Sequence, residues 1–131
     1  MSTTPQETLA TAIAMPQSSE VEIRAKISRL YYALYSHACE FHDSLCTQGV
    51  QLKKEVGAHK RLSQQLTNPT VTNGDLQTLS RQIGTKQQLA HEIRVKADYN
   101  NDQNINSADL AKCVRYVKDG LAIPLPKRAA A

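Results

Sequence analysis

Residues 19–46 read SEVEIRAKISRLYYALYSHACEFHDSLC. Ile27, Leu30, Tyr31, Leu34, Ala38, Phe41 and Leu45 recur mainly at steps of three and four, which is one apolar stripe of an α-helix. Ser19, with Glu22 three residues on, is a helix-start signal, because the hydroxyl and the carboxylate can satisfy orphan amides of the first turn. The pattern fades between Cys46 and Gly49. At 1.5 Å per residue such a helix is about 40 Å long, the spine of a small bundle.

The same reasoning extends in both directions. Upstream, Thr4 caps a short helix, Pro5 sits where its missing amide costs nothing, Glu7 closes a capping box, and Pro16 ends the segment after Met15. Downstream, Gln51 to Leu66 suggests a shorter helix interrupted by Gly57 and ended before Asn68-Pro69. Thr72 or Asn73 caps a third long segment carrying Leu76, Leu79, Ile83, Ala90, Ile93 and Ala97. Gly84 weakens that helix by about 1 kcal/mol relative to Ala and would permit a bend. Asn100 to Asn106 forms a polar loop, and a last helix from Ser107 carries Leu110, Val114, Val117 and Leu121 before Pro124 and Pro126. No alternating strand pattern competes. The expectation is an all-α, four- to five-helix up-and-down bundle: an N-terminal arm over 1–18, the bundle over 19–123 and a tail over 124–131.

Composition narrows the class. The chain has 131 residues, 40% of them hydrophobic, which suits a single globular domain. No apolar run approaches the roughly 20 residues that span a bilayer. Sixteen basic against twelve acidic residues give +4, which permits an acidic partner without requiring one. Cys39, Cys46 and Cys113 form no Cys-x-x-Cys pair, and a sparse, odd set points to a reducing compartment. With no basic, apolar leader read at the start, the expected location is cytoplasmic. Gly-rich phosphate loops, His-Glu-x-x-His and Gly-x-Ser-x-Gly are missing, so no cofactor is expected.

Three polar constellations remain. Arg24, Ser28, Tyr32 and Tyr35 share one face of the long helix, either as a stacking surface for a ligand or as a helix interface. His91, Arg94 and Asp98 share a face of the third long helix, where Arg94 is either an ion-pair partner or an anion contact. Finally, Asp98, Asn100, Asp102, Asn104 and Asp109 stand at positions one, three, five, seven and twelve of a stretch that resembles a calcium loop of the EF-hand or dockerin type. Ile105-Asn-Ser-Ala-Asp-Leu110 followed by Arg115-Tyr116-Val117 also looks like one dockerin repeat. Position six is Gln103 where the sharp turn wants Gly, and position twelve is Asp rather than the longer Glu. Without a metal, the same residues make an Asn/Asp-rich turn and a helix cap.

A longer resemblance runs through residues 20 to 122. Arg24-Ala-Lys-Ile-Ser28-Arg-Leu-Tyr-Tyr32-Ala, then Gly57-Ala-His59, then Arg94-Val-Lys-Ala97-Asp98-Tyr99 resemble, in order, the elements of HEPN-domain proteins. That resemblance implies a dimerising helical bundle acting as a metal-independent endoribonuclease, or as a nucleotide- or protein-binding relative of one. The family's nuclease motif places His four to six residues after Arg. Counting from Arg94, the corresponding positions hold Tyr99, Asn100 and Asn101, so the motif is degenerate.

The resulting expectation is a homodimeric component of a bacterial or phage toxin–antitoxin or antiviral-defence system that binds RNA or nucleotide. Arg94 and His91 would be its catalytic pair, with Arg24, Ser28, Tyr32, Asp98, Tyr99, Asn100 and Asn101 around the ligand. One alternative is a catalytically inactive dimeric adaptor for a nucleotidyltransferase or other defence protein. The other is a calcium-binding, dockerin-like scaffold module using residues 98–109.

Overall fold

The computed structural model describes residues 3–127. It contains five helices: α1 (Pro5–Ala14), α2 (Glu20–Asp43), α3 (Ala58–Thr67), α4 (Gly74–Tyr99) and α5 (Ser107–Leu121). Among the described residues there is no strand, so the all-α bundle is the observed fold. The last four residues of the expected C-terminal tail lie outside the described residues.

The spine of the bundle is α2, which packs against α1, α4 and α5, while α3 lies on α4. Its stripe is the core: Ile27, Leu30, Leu34, Ala38 and Phe41 are fully buried and Tyr31 nearly so. Ile83, Ala90 and Ala97 from α4 and Leu110, Cys113 and Val117 from α5 close against it. Lys26 is also buried, and its ammonium donates to the carbonyls of Ile13 and Met15 at 2.9 and 3.1 Å. These orphan carbonyls close the C-terminal end of α1, so a cation is well placed there.

Helix ends follow the cap chemistry more closely than the apolar pattern. Thr4 and Glu7 form the expected capping box. Ser19 caps α2 by accepting from the Glu22 amide, but the Glu22 carboxylate turns back to Ser18 rather than to Ser19. Helix α2 stops at Asp43, earlier than the Cys46–Gly49 expected from periodicity. The chain then turns so that the His42 ring accepts from the Gly49 amide at 3.0 Å and the Val50 amide donates to Asn68 at 2.9 Å. Residues 51–57 are not helical, and Gly57 is the N-cap of α3. There the Gln64 side chain accepts from the amides of Leu52 and Lys53, holding the segment as a loop.

The expected bend at Gly84 does not interrupt α4, which runs unbroken for 26 residues. Gly84 instead marks a close approach. A Cβ there would lie 2.8 Å from Leu66 Cβ and 2.9 Å from Thr67 Cγ2 on α3. The glycine lets two helices meet rather than letting one kink.

Candidate functional site

Helix α4 presents Arg94 and Asp98 one turn apart, and the helix geometry brings them into a direct pair. Arg94 Nε donates to Asp98 Oδ2 at 2.7 Å, and Ser28 Oγ from α2 donates to the same oxygen at 3.1 Å. These three residues join Tyr31, Tyr32 and Tyr35 of α2 and His59 of α3 around an open cavity of about 630 Å³. Tyr32 is 54% exposed at its surface, while Tyr31 is buried.

The rings form one cluster. Tyr31 and Tyr35 have centroids 6.0 Å apart, Tyr35 and His59 4.3 Å, and His59 and His91 5.0 Å with nearly parallel planes. Behind them is a buried relay. Gln87 Nε2 donates to Tyr31 Oη at 3.0 Å, so the single hydroxyl proton goes to His59 Nδ1, 2.7 Å away. Ser63 donates in turn to Gln87 Oε1, which orients the amide. With Nδ1 accepting, His59 carries its proton on Nε2.

Burial, then the neighbouring Arg94 charge, hold His59 below its ordinary pKa. Burial, followed by His59, Arg94 and Lys60, pushes His91 down to about 4. Both rings are therefore neutral at pH 7. Burial also raises the Tyr31 hydroxyl well above its ordinary value.

The remaining expected site residues separate from this cavity. Arg24 turns away to the 98–109 loop, where its Nη1 donates to the carbonyls of Lys96, Ala97 and Asn100 at 3.1, 2.9 and 3.4 Å. Its Nη2 donates to Gln103. His91 stacks behind His59 and is not on the cavity lining. Tyr99 is 66% exposed with Arg94 over its ring, Asn100 is the C-cap of α4, and Asn101 is exposed. His59 and Gln87 were absent from the expected site. His59 lies in a weakly patterned segment, and Gln87 sits among polar residues of α4, so only the packing of three helices marks them.

In the loop, two of the expected calcium ligands already have partners within the protein. Asp98 belongs to α4, with Oδ2 already bonded to Arg94 and Ser28. Asp109 closes a capping box with Asn106 and sits 3.6 Å from Lys96 Nζ. The Asn100 and Gln103 carbonyls face a guanidinium. Among the described residues, no three His, Cys, Asp or Glu side chains gather to hold a metal. Of the expected ligands Asp98, Asn100, Asp102, Asn104 and Asp109, the first and the last are thus already engaged by other side chains.

Comparison with known proteins gives one match. Residues 67–119 match the family model described as dockerin type I domain. The match begins at the end of α3 and covers α4, the loop and most of α5, less than half of the chain. No curated protein and no solved structure matches.

This finding corrects the longer resemblance. The family model that matches is dockerin and not HEPN, which overturns the HEPN resemblance. The associated toxin–antitoxin, antiviral-defence, RNA-binding and nuclease expectations fall with it. So do the expected partners: RNA or nucleotide, a nucleotidyltransferase or other defence protein, and the homodimer that the resemblance implied. Asn100 and Asn101, at the positions where the resemblance places the catalytic His, cannot exchange a proton at pH 7. The dockerin-like alternative is the better supported of the functional readings. As for a membrane, no helix among the described residues is long and apolar enough to cross one.

Proposed function

We propose that this chain is a dockerin-like interaction module, a scaffold component that docks onto a protein partner. The observation that carries the reading is the dockerin type I match over residues 67–119, which coincides with one structural unit, α4–loop–α5. Dockerin domains bind cohesin partners, so a cohesin-class protein is the proposed occupant. The outward side of α5 offers Lys112, Arg115 and Lys118, all exposed, as a basic docking face.

Dockerin-type loops use a cation to gather their oxygens. Here Arg94 and Lys96 already pair with Asp98 and Asp109, two of the expected ligands, so the proposed docking requires no calcium. The test is binding of the full chain to a panel of immobilised type I cohesins, with calcium and with EDTA. Binding in both buffers, weakened by Lys112→Glu with Arg115→Glu, is the expected result. No binding at about 100 μM, a concentration that captures even weak complexes, would overturn the reading. Binding confined to the calcium buffer would overturn its cation independence.

A further inference from the structure

We propose that the cavity between α2, α3 and α4 is a binding site for a small aromatic monocarboxylate. This goes beyond the docking role and does not depend on it, since the cavity is lined mainly by α2, outside the 67–119 match, and lies away from the exposed α5 face.

The volume comes first. About 630 Å³ falls within the usual range for small-molecule sites, roughly 300–1,000 Å³. The walls come next. Tyr35 and His59 present flat rings in mutual contact, backed by the buried Tyr31, with Tyr32 exposed at the edge. Such surfaces favour an aromatic guest by offset or edge-to-face packing.

The donors select an anion. Arg94 spends Nε on Asp98, while Nη1 and Nη2 make no hydrogen bond among the described residues. A guanidinium edge of this kind matches the two oxygens of a carboxylate. The Ser63–Gln87–Tyr31 relay fixes His59 as an Nε2–H donor, so a neutral ring supplies a second, oriented N–H. The charge balance selects a monoanion. Arg94 and Arg29 line the cavity against one carboxylate, Asp98, leaving a single excess positive charge. A doubly charged phosphate would meet the Asp98 carboxylate with no third cation to offset it.

The probes are benzoate and indole-3-acetate, titrated into the full chain by NMR and calorimetry. Benzamide and inorganic phosphate are the comparators. The expected result is binding of at least one aromatic carboxylate about tenfold tighter than either comparator, the difference that one charged hydrogen-bonding contact supplies. Arg94→Gln should weaken it by about tenfold, and Arg81→Gln, at an exposed position of α4 off the cavity lining, should not change it. If Arg94→Gln fails to fold by circular dichroism, Tyr32→Ala at the exposed edge takes its place and should weaken binding severalfold. No binding at about 10 mM, equal affinity for benzamide or phosphate, or unchanged affinity in a folded cavity variant would overturn the proposal.

Discussion

The Arg24 guanidinium on α2 lies 2.9 Å from the carbonyl oxygen of Ala97 at the end of α4, and it also reaches Lys96, Asn100 and Gln103. The last carbonyls of a helix lack intrahelical donors, and here one side chain supplies them. Nearby, Glu20 accepts from the Ile105 amide at 3.3 Å, so the first turn of α2 clasps both sides of the loop.

Replacing Arg24 by Ala should cost about 2 kcal/mol, the scale for losing charge-assisted hydrogen bonds at a partly buried site. Denaturant melts measure the loss. Hydrogen exchange should show the amide of Ile105 exposed in the variant and protected in the parent chain.

Calcium should leave the molecule unmoved. Because Asp98 and Asp109 are already paired, adding calcium or EDTA should not shift the melting temperature. Asp102 is exposed, and Asp102→Ala should change stability by no more than about 0.5 kcal/mol. A calcium-dependent rise in melting temperature would contradict both the loop geometry and this expectation.

Acid should destabilise the bundle through its histidines. His91 is depressed to about 4 from an ordinary 6.5, and His59 and His42 shift in the same direction, each mainly through burial. Above the unfolded value both states are neutral, so no stability depends on these rings. As pH falls below it, the unfolded chain takes up protons that the folded chain refuses, and stability declines until the folded values are reached. Melting temperatures measured between about pH 7 and 4 should fall, and His91→Gln should flatten the slope.

Gly84→Ala should destabilise the protein even though Ala is the better helix former. The propensity gain is about 1 kcal/mol. The added methyl would meet Leu66 Cβ at 2.8 Å, an atom fixed to the α3 backbone. Overpacking of this kind costs about 1–3 kcal/mol, so the net change should be a loss of stability in urea melts.

The sequence by itself determined the helices. Steps of three and four in α2, the Thr4 and Asn73 caps, and the Asn100–Asn106 polar run located four of them, because these signals act between residues close along the chain, while α3 begins at Ala58 rather than near Gln51. It also placed Arg94 beside Asp98, since a four-residue step on a helix guarantees that proximity. Tertiary structure decided the rest. Arg24 and Ser28 share a face of α2, yet one holds the loop and the other meets Asp98, because different parts of α4 and its loop lie opposite them. The spacing of Asp98, Asn100, Asp102, Asn104 and Asp109 matched a calcium loop, but spacing does not reveal which oxygens other side chains have already engaged. His59 and Gln87 joined the cavity only because α3 packs on α4 beside Tyr31. Those contacts cross 28 and 56 residues of chain, a range at which no periodic pattern carries information.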